Sequence, residues 1–98
     1  MEFKTELVVK GKITKIKDVI ERKTSSGDSW AKQEFLLDTG EKYNSLFLFE
    51  LLGNKSVENF NQFNSIGNNV EVSFNVQTSE YLDKHYVKLQ AWKVSKVN

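Results

Sequence analysis

Trp30 and Lys32, two residues apart in the run Trp30-Ala31-Lys32-Gln33-Glu34-Phe35, are the side chains of this sequence best suited by type and spacing to a binding chemistry. They open an alternating segment behind the polar turn Thr24-Ser25-Ser26-Gly27-Asp28-Ser29. Along an extended strand, Trp30, Lys32 and Glu34 point one way and Ala31, Gln33, Phe35 and Leu37 the other. Phe35 and Leu37 are the natural core pair, which leaves Trp30 and Lys32 on the wetter face. A flat ring beside an ammonium group can stack on a nucleic-acid base and neutralise its phosphate. The competing assignment is structural: Trp30 folds over the end of a barrel and Lys32 is merely solvated, since scattered surface aromatics are common.

Other chemistries are poorly supplied. The chain has no cysteine and a single histidine, His85, which rules out a Cys–His pair or a multi-histidine metal centre. Acidic residues are spread singly along strands, and the five glycines are isolated and form no phosphate-cradling loop. A non-enzymatic protein without metal or cofactor is expected. Its 98 residues suffice for one domain spanning 1–98. No apolar run could span a bilayer, and Met1-Glu2-Phe3-Lys4-Thr5-Glu6 does not read as a signal peptide. A soluble, cytoplasmic protein of a bacterial or phage-infected cell is the expectation.

Formal net charge is only +1, but it is unevenly distributed. Residues 1–23 carry a balance of +3, residues 24–80 of −5, and residues 81–98 of +3. If the two basic ends lie side by side they form a cationic stripe. Otherwise these lysines are ordinary outward residues that keep strand edges soluble.

The elements that must position these groups follow a period of two. A first strand runs through Val9, Gly11 and Ile13 to about Thr24, with a phase change near Ile16 to Ile20 that predicts a bulge or bend. Gly11 sits where a tightly packed barrel would want no side chain. A second strand spans about Ser29 to Thr39. A third, Tyr43 to Leu52, puts Tyr43, Phe47, Phe49 and Leu51 on a core face and Leu46 and Leu48 on the other. Val57, Phe60 and Phe63 recur at spacing three within Asn54 to Asn64, which predicts a short amphipathic helix. Val70, Val72, Phe74 and Val76 define a fourth strand, Thr78 to Lys84 a hairpin loop, and His85 to Val94 the last strand. Three strands, a helix, then two strands is the order of an OB-fold, an all-β five-stranded Greek-key barrel with one short helix between strands 3 and 4. Phe60 and Phe63 would plug its end. A split sandwich is the main alternative; an SH3-like barrel normally lacks that helix.

The chain also resembles a small family of bacterial and phage domains, common in Bacteroidetes, described as single-stranded-DNA-binding-like OB-folds. The resemblance runs through Gly11, Trp30-Ala31-Lys32-Gln33-Glu34-Phe35, Tyr43, Phe47-Leu48-Phe49-Glu50 and Gly53. It continues with Gly67 to Phe74, Ser79-Glu80-Tyr81 and Ala91-Trp92-Lys93-Val94. Two positions depart from the family pattern. Ser79 replaces an arginine before the Glu-Tyr pair, which removes a phosphate contact, and Asn44 replaces a proline after Tyr43. The resemblance implies an OB-fold and single-strand binding.

OB-folds place ligands across the outer face of the second and third strands, between the first loop and the hairpin loop. That maps onto Arg22 and Lys23 in the first loop, Trp30 and Lys32 on the second strand, and Tyr81, Lys84, His85 and Tyr86 around the hairpin. Lys88 and Trp92 alternate outward beyond it. His85 also fits an ordinary strand-end position, and Trp92 a packing residue that caps the barrel. The expected partner is single-stranded DNA bound without strong sequence preference, with RNA or an oligosaccharide open on the same face. Outward Leu46 and Leu48 predict a homo-oligomer, or an OB module that serves only as a protein-interaction or structural subunit.

Overall fold

The computed structural model describes residues 7–23, 25–43 and 45–97. Its elements are β1 (Leu7–Ile16), β2 (Ile20–Lys23), β3 (Ser29–Asp38), β4 (Leu46–Leu52), α1 (Asn54–Phe63), β5 (Asn69–Tyr81) and β6 (Lys84–Lys96). The sheet order is β1-β5-β6-β4-β3-β2, and a further β1–β3 pairing closes the ring. All pairings are antiparallel except β4–β6, where Phe49 lies beside Leu89 and Glu50 beside Gln90. This is an OB-fold barrel. It has six strands because the expected first strand is broken into β1 and β2 at residues 17–19; its expected end, Thr24, lies outside the described residues, as do residues 1–6 and Asn44.

Alternation builds the core. Ile13, Phe35, Leu37, Phe49, Val70 and Val72 are fully enclosed. Phe35 stacks on Phe60 with ring centroids 4.5 Å apart, and Phe49 meets Phe74 edge-on at 5.1 Å. The bend after β1 is held by one buried amide. Gln33 Nε2 donates to the Lys17 carbonyl at 2.8 Å, and Asn61 Nδ2 on α1 donates to Gln33 Oε1 at 2.7 Å.

Three expectations are corrected. Phe63 is exposed and does not plug the barrel; Val57 and Phe60 are the buried helix residues. A helix turns about 100° per residue, so each three-residue step drifts about 60°, and Phe63 has rolled off the stripe begun by Val57. Tyr43 is 72% exposed and not core, because β4 starts only at Leu46; its ring sits 5.4 Å from Lys42 Nζ. Thr78 to Lys84 is not a loop: β5 and β6 stay paired out to Tyr81 and Lys84, joined by Leu82-Asp83 alone. Of the two alternatives for the basic segments, the described residues do not form one adjacent stripe: β5 lies between β1 and β6, and Lys10 pairs with Glu71 at 3.9 Å.

Gly11 behaves as expected. A Cβ there would meet the Asp38 carbonyl oxygen at 2.6 Å and Leu37 Cγ at 2.9 Å. Gly11→Ala is therefore expected to lower unfolding free energy by about 1–3 kcal/mol, the usual range for overpacking. Urea denaturation checks this, and a variant as stable as the parent would show that the β1–β3 crossing yields easily.

Candidate nucleic-acid interface

Cross-strand partners share a face of the sheet, so the register assembles the outer wall directly. Arg22 lies beside Trp30, Ile20 beside Lys32, Lys32 beside Leu52, Glu34 beside Glu50, Leu36 beside Leu48 and Asp38 beside Leu46. Ala31, Gln33, Phe35 and Leu37 all face inward and are buried, as the alternation predicts. Trp30 is half-buried and is among the residues around a groove of about 270 Å³, with Val19, Glu21, Asn54 and Glu58, between β2 and the start of α1. It is thus neither fully exposed nor enclosed in the core. Lys23 pairs with Ser29, one position out of phase, and faces away from Arg22 and Trp30.

The β5–β6 ribbon extends this wall. Gln90 lies beside Glu50 on the outer face, and the pairs Gln77–Lys88, Ser79–Tyr86 and Tyr81–Lys84 continue that face to the tip. Gln77 Nε2 donates to Gln90 Oε1 at 2.7 Å across the ribbon. Tyr81, Lys84, Tyr86 and Lys88 thus stand in one solvent-exposed file. His85 falls on the opposite face, with its Nε2 3.8 Å from Glu80 Oε2. Counting from the Glu34–Glu50–Gln90 row, Trp30 lies four residues along β3 and Tyr86 four residues the other way along β6. At about 3.3 Å per residue the two ring sites are offset by about 26 Å along the strand direction.

Trp92 faces outward, as expected, through a device the sequence did not announce. Ser73 pairs with Lys93 and Phe74 with Ala91, so Trp92 is the extra residue of a β-bulge. It stands 56% exposed and lines a groove of about 350 Å³ with Phe63, Asn59 and Asn64 of the helix end.

The residue that sequence reasoning missed is Glu50. It is 7% exposed, with Oε1 3.4 Å from Lys32 Nζ and Oε2 3.8 Å from Lys88 Nζ. Lys32 is accordingly half-buried and ion-paired and does not stand free on the surface. Glu34, across from Glu50, has its own partner in Lys17 at 3.7 Å. These carboxylates, read as isolated, are brought face to face by the β3–β4 register. Among the described residues no cluster of three or more His, Cys, Asp or Glu could hold a metal ion, and no helix is long and apolar enough to cross a membrane. Arg22 and Lys84 have no ion-pair partner among the described residues.

This wall can offer rings at both ends, with cations beside them and a self-paired acid–base centre between. A family model described as "Domain of unknown function (DUF3127)" matches residues 8–95. The chain belongs to that family. A search of curated protein sequences finds no match for this DUF3127 domain. Among solved structures it is similar to the mitochondrial single-stranded DNA binding protein Rim1 of S. cerevisiae. One crystal form gives a TM-score of 0.69 at 8% identity, covering 95% of each chain. A second gives 0.62 at 11% identity, covering 99% of this chain and 96% of that one. At such identities the likeness is one of fold.

The ribbon tip carries local strain: Leu82 and Asp83 adopt φ of 50° and 62°. Two-residue hairpin turns of this hand favour Asn-Gly, which reach positive φ at little cost. Replacing Leu82-Asp83 by Asn-Gly is expected to slow amide hydrogen exchange along residues 77–86 about fivefold, equivalent to about 1 kcal/mol. Unchanged or faster exchange would show that the native turn is unstrained.

Proposed function

We propose that this domain binds single-stranded DNA along the wall formed by β2, β3, β4 and the β5–β6 ribbon, without strong sequence preference. The observation that carries the reading is the continuity of that wall. One register places Arg22 and Trp30 at one end and Lys84, Tyr86 and Tyr81 at the other, all on the same side of the sheet. Rings suit any base, since every base has a π-face, and the cations act on phosphates irrespective of sequence. Trp92 would extend the stacking surface toward the helix, and Lys23 would contribute only long-range attraction from the far side of β2. Rim1, whose fold this chain shares, is by its description a single-stranded DNA binding protein, which supports the reading. No catalytic step is assigned. The same proposal includes a role in holding exposed strands during replication, recombination or repair.

A second reading is favoured by Leu46, 60% exposed, which with Leu48 and Val87 lines an apolar groove of about 350 Å³ beside Phe47 and Leu89. Such a patch suits a homo-oligomer contact or another protein surface. Because it lies between the two ring sites, a subunit seated there would compete with a strand crossing the wall.

Fluorescence anisotropy with labelled oligo-dT separates the two. Strand binding predicts affinity that falls as salt rises, with log K losing about 0.7 per phosphate contact for each decade of salt, and weaker binding of duplex. Trp30→Ala and Tyr86→Ala should each weaken binding by about 1–3 kcal/mol while the circular dichroism stays native. No binding by micromolar protein at low salt, together with a stable oligomer in light scattering, would leave only the interaction module.

A further inference from the structure

Lys32, Glu50 and Lys88 form a compact ion triad at the middle of the wall, and its geometry bears on how tightly a strand can be held. One carboxylate engages both ammonium groups, at 3.4 Å and 3.8 Å. The carboxylate is the buried member, whereas Lys88 is more than half exposed and faces solvent. A cavity of about 440 Å³ opens over the pair and is lined by Glu50, Gln77, Thr78, Ser79 and Lys88. Glu34 sits directly across from Glu50, so two carboxylates stand opposite each other there. Like charges so placed repel and discourage any further anion.

Packing stability alone does not require this arrangement. One flanking row is leucine on both strands, Leu36 beside Leu48, and in the other Leu52 stands beside Lys32. Replacing a buried ion pair with apolar residues of similar volume is often neutral or stabilising. The triad does have a consequence for binding. A phosphate approaching Lys32 or Lys88 meets ammonium groups whose charge Glu50 already offsets, and the enclosed Glu50 side chain cannot readily swing away.

We infer that Glu50 is a built-in competitor for phosphate, an affinity-limiting residue that withholds Lys32 and Lys88 from the strand so that binding stays weak and readily reversed. This rests on the strand-binding reading above. Removing the carboxylate charge while keeping its shape frees both ammonium groups. Removing Lys88 from the intact triad, in contrast, takes away a charge already satisfied within the protein.

The test compares oligo-dT binding by the parent, Glu50→Gln and Glu71→Gln across a salt series. Glu71 belongs to the Lys10 pair on the β1–β5 side and controls for the added unit of charge. Glu50→Gln is expected to tighten binding at low salt by roughly three- to tenfold. Its log–log salt slope should steepen by about 0.7 for each lysine released. Glu71→Gln should change affinity less than twofold. Should Glu50→Gln fail to fold, Lys88→Gln and Lys84→Gln in the parent background give the same information from exposed positions. The triad predicts that Lys84→Gln weakens binding several-fold while Lys88→Gln barely alters it. If the parent binds and Glu50→Gln binds equally or more weakly, or Glu71→Gln gains as much, or Lys88→Gln costs as much as Lys84→Gln, the inference is wrong. If no protein binds oligo-dT at any salt, the strand-binding reading itself falls, and the inference with it.

Discussion

The buried amide of Gln33 is the constraint on which the arrangement of the wall depends. It donates to the Lys17 carbonyl, where the β1–β2 path bends, and accepts from Asn61 on α1, whose Nδ2 also donates to the Val57 carbonyl at 2.8 Å. One side chain of β3 thereby ties the bend and the helix to a single strand. An unsatisfied buried polar group costs about 1–3 kcal/mol, so this position tolerates no slip. A shift of one residue would turn Phe35 and Leu37 to solvent and bury Lys32 and Glu34, which exceeds the stability of a small domain. Since the pleat alternates strictly, fixing the inner residues of β3 also fixes Trp30 and Lys32 outward. The binding wall is the reverse side of the core.

That wall is not a cationic surface of the usual kind. With a net charge of +1, the chain offers a strand little long-range attraction. Where basic groups do gather, acids accompany them: Lys17 with Glu34, Lys32 and Lys88 with Glu50, Lys10 with Glu71. Arg22 and Lys84 sit outside these pairs, each next to a ring, Trp30 and Tyr81 respectively. In the proposed reading, affinity from such a surface comes mainly from stacking at the ends. Polyelectrolyte attraction along the middle contributes less.

What the sequence reveals here and what it hides divide along a physical line. The alternation of β3, the bend near Ile16, the space needed at Gly11 and the turn into the helix are encoded within a few residues of one another, and all were legible. The Lys32–Glu50–Lys88 triad joins positions 18 and 38 residues apart through two registers, one of them the parallel β4–β6 pair. No local pattern carries that information. The ribbon was hidden for another reason: Leu82-Asp83 lacks the Asn-Gly signature of a tight turn, so Thr78 to Lys84 reads as a loop. Tyr43 and Phe63 misled because both continue an apolar spacing past the point where the element's geometry has ended or rotated away.

The two ends of the wall differ in how firmly they hold their rings. Trp30 is anchored on a central barrel strand with the rim of the barrel behind it. Tyr81, Lys84 and Tyr86 ride on a ribbon whose residues 75–88 are all exposed, with no second layer beneath them among the described residues. A two-stranded ribbon alone in water is marginal, so these groups are held by ladder hydrogen bonds and cross-strand pairs such as Gln77–Gln90. A ligand meeting Trp30 finds a ring already positioned, whereas one meeting Tyr86 must also order the arm that carries it, and that ordering offsets part of the contact energy. In the proposed strand-binding reading, the rigid end therefore sets where a strand begins to bind, and the ribbon follows the strand's path.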